Sequence, residues 1–457
     1  MADALGSPLL VLLAWAAAGL ITMLGSLSNA EVASMFPEAG GQYVYFKKIY
    51  GKFFAYLYGW TTFSVVQSAT IASVGYVFAE SLNNFLHLPD ISIYFPEALR
   101  SFTLYADIQP FSNFTIKLIT VGMIWGLAVL NIRGIEMGKI ISSVLATTIV
   151  ICITVIVVAC FGFSGGSLAN LTHVPAGEAF YNLAGHGNDA APMGFFGAFF
   201  GAMLAAFWAY EGWVTIGYIG GEVKNGERNL GRGIMFGTLA VTIIYLIVHT
   251  AYLYTMPIEG IAALSAKENS IAAVEILGYF LGNGGVMFLS LLILCSTFNA
   301  TNTSVIAAPR VYYALAKDGL FFKSAADIHP KFKTPWKALL IQGGWASVLV
   351  FSGSFDLLTD MLIFAAFIFY GAGAWGVITL RKKLPLTKRP FKVPLYPVVP
   401  ILFTLFSAVL VIRTIWDQPG MAAFGLLLIL LGVPFYFFWR RQNGDPELVG
   451  PEDPKED

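Results

Sequence analysis

Long apolar segments, separated by short polar ones, follow one another along almost the whole chain. Eleven are found, at residues 9–30, 53–83, 113–130, 139–163, 193–221, 234–255, 284–309, 338–353, 357–380, 396–416 and 420–439. A helix needs about 20 mostly apolar residues to cross a bilayer. The segments are continuous rather than alternating in polarity, which argues against a membrane β-barrel. The pattern predicts an all-α polytopic membrane protein, with a single transmembrane domain over residues 1–457.

The composition agrees with this interpretation and removes several classes of function. Of the 457 residues, 57% are hydrophobic and 12% are charged, whereas a soluble domain has roughly 25% charged residues. This excludes a disordered chain, a nucleic-acid-binding domain and an ordinary cytosolic enzyme. Cys152, Cys160 and Cys295 lie inside apolar segments, so we expect no disulfide framework, metal or other cofactor. An intramembrane enzyme is disfavoured, because the apolar segments carry no HExxH, paired aspartates or GxSxG.

The positive charges gather on one side of the predicted crossings. Twenty-three of the 27 lysines and arginines lie in segments 36–52, 131–139, 222–233, 310–337, 381–395 and the C-terminal tail, which we call the basic side. The other four are Arg100, Lys117, Lys267 and Arg413. Since cytoplasmic loops carry the excess of lysine and arginine, we expect a cell membrane protein with a cytoplasmic C-terminus. The stretch 381–392 either sets this topology or attracts anionic lipid headgroups.

The beginning of the chain does not fit this orientation. Eleven crossings with the C-terminus inside place Met1 outside, yet residues 1–8 carry neither a signal peptide nor a charged flank. We therefore expect that a helix preceding residue 1 is missing from this sequence. The alternative is that the number of crossings is wrong by one.

The fifth apolar segment is unusual because it carries an acid in its middle. Residues 207–213 read FWAYEGW. A charged residue at this depth is costly and marks function, and unwound backbone is tolerated in a bilayer where it lines a cavity. We predict a helix that unwinds around a substrate, with contacts from Phe207, Trp208, Ala209, Tyr210, Glu211 and Gly212. The alternative is an unbroken helix with an aromatic packing face and a hydrogen-bonded Glu211.

Two other apolar segments carry polar side chains. In the second, Gln67, Thr70 and Ser73 recur on one helical face. In the seventh, residues 296–304 are mostly Ser, Thr and Asn, and include Asn299 and Asn302. These groups either line a substrate pathway or join helices together. We include Gln67, Asn299 and Asn302 among the predicted substrate contacts.

Several stretches together resemble the amino acid–polyamine–organocation (APC) transporter superfamily, closest to its L-type amino acid transporter branch. They are AE at 30–31, MFPEAGGQYVY at 35–45, NIRG at 131–134, AYEGW at 209–213, EVKN at 222–225, ERNL at 227–230 and RVYYALAKDG at 310–319. The resemblance implies twelve helices, ten of them in a five-plus-five inverted repeat. Here eleven are present, because the first repeat, 1–163, lacks its leading helix. Residues 193–380 form the second repeat, 394–441 two extra helices and 442–457 a cytoplasmic tail.

The resemblance also implies a function. Members of this superfamily move amino acids by alternating access, so we expect a secondary active transporter that is an exchanger or proton-coupled. Their substrate lies between two unwound helices, the first and the sixth. Residues 207–213 match the sixth, and the first has no match. Because Glu211 is acidic, cationic amino acids or polyamines are an alternative substrate class. Because the first helix is missing, a second alternative is a truncated remnant that does not transport.

Two departures from the family pattern concern ion coupling and partners. Many relatives carry a lysine on the fifth family helix, where this chain has Thr147 and Thr148. Together with Ser304 they form the predicted ion-coupling region. Animal members join a glycoprotein heavy chain through a cysteine in the loop that corresponds to 84–112, which has no cysteine here. The expected partners are therefore an amino acid and the lipid bilayer, without a disulfide-linked heavy chain.

Overall fold

The computed structural model describes residues 1–103, 109–174, 194–264, 272–352 and 355–442. Its helices are α1 (Ala2–Leu5), α2 (Pro8–Met35), α3 (Gln42–Tyr50), α4 (Lys52–Thr61), α5 (Gln67–Leu86), α6 (Glu97–Arg100), α7 (Phe114–Arg133), α8 (Ile135–Phe163), α9 (Gly194–Ala209), α10 (Thr215–Tyr218), α11 (Gly226–Thr255), α12 (Ile258–Leu264), α13 (Ala272–Ala307), α14 (Pro309–Lys317), α15 (Trp336–Ser352), α16 (Phe355–Lys383), α17 (Val398–Asp417), α18 (Pro419–Leu430) and α19 (Gly432–Gln442). Over these ranges β pairing is confined to one bridge, between Ala39 and Ile219. The predicted all-α class is confirmed.

The apolar segments of the sequence are the crossing helices of the structure. In the described ranges, nine helical stretches are long and apolar enough to cross a membrane. They are Pro8–Met35, Lys52–Asn83, Phe114–Arg133, Gly138–Phe163, Gly226–Thr255, Ala273–Lys317, Leu358–Lys383, Val398–Asp417 and Pro419–Gln442. The other two predicted segments contain the shorter helices α9, with 16 residues, and α15, with 17. Residue 193, where one predicted segment begins, and the tail from 443 lie outside the described residues.

Two crossing helices differ from the simple rods that the pattern predicts. Helix α13 begins at Ala272 rather than at 284, and Gly282 inside it has φ 58 and ψ −150. The kink explains the difference, because the apolar run marks only the part that follows it. Between α4 and α5, residues Thr62–Val66 form one turn of π-helix. Such turns are rare and frequently accompany functional sites.

Two helices, α2 and α5, organise the interior. Helix α2 packs against α9, α11, α16 and α17, whereas α5 packs against α7, α13, α15 and α16. Many of the contacts on α2 are small, since Ala14, Ala18 and Ala30 are fully buried. Small residues let helix backbones approach closely in a bilayer. This packing surrounds α9 and the turn that follows it.

The segments assigned to the basic side do meet at one end of the molecule. Glu31 on α2 is 1% exposed and binds Arg381 at the end of α16, with Nη2 2.7 Å from Oε2. It also lies 3.3 Å from Nε of Arg389 and accepts a hydrogen bond from the Val393 amide at 2.8 Å. The loop after α16 is thereby fixed against α2. Within the basic stretch 381–392, Arg381 and Arg389 contact Glu31 and Lys383 donates to the Ile49 carbonyl, whereas Lys382, Lys388 and Lys392 are exposed.

A second group of charges joins three other segments at the same end. Glu222, which follows α10, lies 3.0 Å from Lys139 on α8 and 3.1 Å from Arg310 on α14. Burial alone would raise the pKa of Glu222, but Arg310 and Lys139 outweigh it and hold this pKa below its usual range. Asp318 accepts from both Lys47 and Tyr43 on α3, at 2.6 and 2.5 Å. These contacts close the basic side around α10.

Candidate substrate-binding site

The helix predicted to unwind does so at the predicted residues. Helix α9 ends at Ala209 and α10 begins at Thr215. The Glu211 amide donates to the Trp208 carbonyl and the Thr215 amide to the Gly212 carbonyl, so tight turns replace the α-helical ladder. Gly212 has φ 110, a region that other residues rarely adopt. The broken helix is confirmed, and the alternative of an unbroken helix is wrong.

Alanine at position 212 tests whether the turn needs this backbone conformation. A Cβ on Gly212 would meet nothing within 4 Å, so Gly212→Ala acts through backbone strain alone, at a cost of about 1–3 kcal/mol. We expect a rise in the KM for amino acid uptake of about 5-fold or more, since 1.4 kcal/mol is tenfold. Gly201→Ala is the matched control, because its Cβ also meets nothing and its backbone is helical. Equal KM values in the two variants would contradict the assignment.

The turn opens onto a cavity of about 390 Å³, and Glu211 is one of the residues that line it. Residues 209–213 line one side of it, and Gly237 and Thr238 of α11 line the other. The Tyr370 hydroxyl on α16 donates to Glu211 Oε1 at 2.5 Å, and the Tyr370 ring lies 4.8 Å from that of Trp213. The cavity is therefore lined by an acidic residue whose carboxylate is held by Tyr370.

Aromatic residues of α2 and α11 hold the turn in place. The Tyr245 hydroxyl donates to the carbonyl of Ala209, the last residue of α9, at 2.7 Å. The Tyr210 hydroxyl donates to the Trp15 carbonyl at 3.2 Å. His249 stacks on Trp15 with ring centroids 4.0 Å apart. Tyr210 thus faces α2 rather than the centre of the cavity, and these contacts fix the carbonyl end of α9.

Phe207 and Trp208 lie on the last turn of α9. Phe207 is 2% exposed and packs against Phe367 of α16 and Phe406 of α17, at 5.0 and 5.4 Å between centroids. Trp208 is half-buried against the main core. Neither residue lines the cavity that contains Glu211. Ala209, Tyr210, Glu211 and Gly212 are the predicted contacts that the structure brings together there.

Gln67 lies directly after the π-helical turn and is not among the residues that line the cavity. It is 2% exposed, and its Oε1 has no hydrogen-bond partner among the described residues. Ser68 and Ser73 are also fully buried, so the polar stripe points into the bundle as predicted. Their hydroxyls donate to carbonyls of the same helix. Local bonding of this kind satisfies the hydroxyls without a ligand.

The predicted residues of α13 separate into two environments. Asn302 is fully buried, accepts from Asn131 Nδ2 at 2.8 Å and donates to the Ser142 hydroxyl at 3.0 Å. It therefore joins α7, α8 and α13. Asn299 is half-buried and its Oδ1 has no partner in the described part of the chain. Ser304 is half-buried, one turn before the end of α13.

Thr147 and Thr148 lie on the exposed face of α8. The Thr147 hydroxyl donates to the Ser143 carbonyl of its own helix at 2.9 Å. Ser304 lies on α13, which packs against α8. The grouping of these three residues as an ion-coupling region stays a prediction. Within the described ranges, no cluster of three or more His, Cys, Asp or Glu side chains is arranged to hold a metal.

Some side chains at the site carry no signal in the sequence. Tyr370 and Tyr245 each lie in the middle of a long apolar helix, where an aromatic residue is read as packing. Their hydroxyls reach Glu211 and Ala209 because α16 and α11 pack beside the turn. Trp15 contributes its backbone carbonyl, which any residue at that position supplies. Asn131 belongs to a motif quoted above, but the motif does not show that it pairs with Asn302.

A bundle of crossing helices, one of them broken at an acid that lines a cavity, defines a multi-pass membrane transporter. A sequence model of the amino acid permease family matches residues 2–437, and the chain belongs to that family. The serine/threonine exchanger SteT of Bacillus subtilis (strain 168) is 29% identical over 440 residues, which are 96% of this chain and 90% of SteT. The family and its members are transporters rather than enzymes.

Mammalian relatives match over similar lengths. The b(0,+)-type amino acid transporter 1 of Mus musculus is 27% identical over 94% of this chain and 80% of its own. The cystine/glutamate transporter of Homo sapiens is 27% identical over 95% of this chain and 79% of its own. The chain is therefore a secondary active amino acid transporter with the APC fold, as the resemblance implied. Transport of polyamines is not favoured by these relatives.

Proposed function

We propose that this protein exchanges neutral amino acids across the membrane and that Glu211 receives the substrate ammonium group. The observation that carries the proposal is the position of Glu211 among the residues that line the cavity at the broken helix. Helix α9 ends there, and the carbonyl end of a helix carries a partial negative charge of about half an elementary charge. Carboxylate and helix end together favour a cation. Every amino acid carries an ammonium group, so this site accepts zwitterions without a cationic side chain.

Exchange, rather than coupling to an ion, is supported by the similarity to SteT, a serine/threonine exchanger. The basic side is the cytoplasmic side in this proposal, because it carries 23 of the 27 lysines and arginines. Residues 193–380 then form one repeat whose leading helix is the broken one. Since the loop 84–112 has no cysteine, the protein acts without a disulfide-linked partner.

Counterflow in proteoliposomes tests the proposal. Vesicles loaded with unlabelled L-serine, L-leucine or L-lysine receive the same amino acid in labelled form outside. The proposal predicts transient accumulation of labelled L-serine or L-leucine, with no requirement for a pH or sodium gradient. Accumulation that needs either gradient would contradict exchange. Accumulation of L-lysine alone would contradict the substrate class.

Alternating access requires the contacts at the basic side to open, and Glu222 joins two of them, to Lys139 and Arg310. Because Glu222 is partly exposed, we assign its contacts about 1 kcal/mol. Glu222→Gln is then expected to raise hydrogen exchange of residues 36–41 and 215–223 about 5-fold. The depressed pKa of Glu222 stabilises the closed arrangement above the ordinary carboxyl pKa, and this stability is lost as pH falls through the lower folded value.

Glu227→Gln is the control for this measurement. Glu227 lies 3.8 Å from Lys388, and both side chains are largely exposed. We expect no change in exchange of the same two segments, since exposed pairs contribute little. A change of equal size in both variants would show that Glu222 does not close the basic side.

A further inference from the structure

Three buried polar side chains between α2 and α3 carry atoms without hydrogen-bond partners among the described residues. Asn29 is 7% exposed, Gln42 3% and Tyr45 2%. The unpartnered atoms are Asn29 Nδ2, Gln42 Oε1 and the Tyr45 hydroxyl oxygen. The contact between Gln42 Nε2 and Asn29 Oδ1 is long, at 3.5 Å. An unsatisfied buried polar group costs about 1–3 kcal/mol, so three together are unexpected in a region that serves packing alone.

These side chains lie between the Glu211 cavity and the basic side. Gln42 faces Gly373 of α16, where an added Cβ would lie 3.9 Å from Nε2. Gly373 is one turn beyond Tyr370, which holds Glu211. Tyr45 faces α10, because a Cβ on Gly217 would lie 3.1 Å from its hydroxyl oxygen. The polar side chains of Gln42 and Tyr45 thus lie beside α16 and α10, between the cavity and the basic side.

The surface between α3 and α10 is built so that it can separate. A Cβ on Gly41 would lie 2.6 Å from the Gly217 carbonyl carbon, so the two backbones touch directly. The Gly40 amide donates to the Tyr218 carbonyl at 2.9 Å. At these two glycines the backbones meet without interlocked side chains. Movement of α10 away from α3 exposes Tyr45 and the neighbouring amides, and it separates the Tyr218 hydroxyl from that of Tyr58.

We propose that Asn29, Gln42 and Tyr45 form an inner subsite that lines the exit of the amino acid toward the basic side. This inference rests on the exchange function proposed above. The amide of Asn29 and the hydroxyl of Tyr45 donate to a carboxylate, and Gln42 Oε1 accepts from an ammonium group. All three side chains are uncharged. They replace the hydration of a zwitterion without holding it as an opposite charge would.

Cysteine accessibility tests the subsite directly. In a background with Cys152, Cys160 and Cys295 replaced by alanine, Gln42→Cys is exposed from the basic side to a membrane-impermeant thiosulfonate reagent. Ala30→Cys is the control, since Ala30 is adjacent to Asn29 and fully buried. We expect Gln42→Cys to react at least 5-fold faster than the control when L-serine or L-leucine exchanges. Equal rates with and without exchange would overturn the proposal.

A kinetic measurement separates a lining role from a structural one. Asn29→Leu removes the unpartnered amide at similar volume, so a structural role alone predicts unchanged exchange. The subsite predicts a several-fold lower exchange rate with an unchanged Kd for L-serine or L-leucine at the opposite side. Unchanged exchange would overturn it. Absence of counterflow in the unmodified protein would overturn the exchange function, whereas normal counterflow with an unreactive Gln42→Cys overturns this inference alone.

Discussion

Replacement of Glu211 by glutamine is expected to weaken binding of L-serine or L-leucine by about 10- to 100-fold. A hydrogen bond to a charged group contributes about 1.5–3 kcal/mol, and 1.4 kcal/mol is tenfold in affinity. Glutamine keeps the size of the side chain and can still accept from Tyr370. The variant therefore removes the negative charge and leaves the cavity of about 390 Å³ unchanged. Binding of labelled amino acid to the purified variant measures the effect.

Tyr370→Phe is the matched comparison for this variant. It removes the hydroxyl that donates to Glu211 Oε1 at 2.5 Å and leaves the Glu211 side chain in place. We expect a loss of about 2- to 10-fold, because a typical net hydrogen bond contributes about 0.5–1.5 kcal/mol. If Tyr370→Phe costs more affinity than Glu211→Gln, the charge of Glu211 is not what binds the substrate. Glu211 would then serve the shape of the turn alone.

Replacement of Glu31 by glutamine is expected to have the largest effect on stability. Glu31 is 1% exposed and lies against Arg381 and Arg389, whose side chains are 23% and 8% exposed. Removing one partner of a buried ion pair costs about 3–5 kcal/mol, because the remaining charge stays buried. The Val393 amide also donates to Glu31 Oε2. We expect the purified variant to melt well below the unmodified protein when unfolding is followed by tryptophan fluorescence.

Glu227→Gln again provides a matched control at the same end of the bundle. Its contact with Lys388 is 3.8 Å long and largely exposed, so the expected change is within about 1 kcal/mol. Melting temperatures that fall equally in both variants would contradict a buried ion cluster at Glu31. In that case the loop after α16 is held by its apolar contacts.

The positions of most crossing helices could be predicted from the sequence, because both the lipid-facing and the interior helices are strongly apolar. The apolar segments predict the crossing helices, and the sequence FWAYEGW at 207–213 predicts the break between α9 and α10. The sequence does not predict the kink at Gly282, because a glycine within an apolar helix can either allow close helix packing or bend the helix. The apolar pattern therefore predicts a start at 284, whereas α13 begins at Ala272. Where a residue bends a helix depends on its backbone angles, which composition does not specify.

The site was predicted in part for the same physical reasons. Glu211 was identifiable because a carboxylate in an apolar segment is costly. Tyr370 was not, because its role depends on a neighbour 159 positions away in the chain. Asn302 is also a polar residue in an apolar segment, yet its amide is engaged by Asn131 and Ser142. Sequence identifies buried polar groups, and packing decides which of them are satisfied by neighbouring helices.

The central claim is that an amino acid binds with its ammonium group at Glu211. The most direct test is equilibrium binding of labelled L-leucine to the purified protein, in competition with L-leucine and with 4-methylpentanoate. The latter has the same side chain and carboxylate but no ammonium group. If Glu211 binds the ammonium group, L-leucine alone competes, and L-leucine binding is about 10- to 100-fold weaker in Glu211→Gln. Equal competition by 4-methylpentanoate, or undiminished binding in Glu211→Gln, would contradict it.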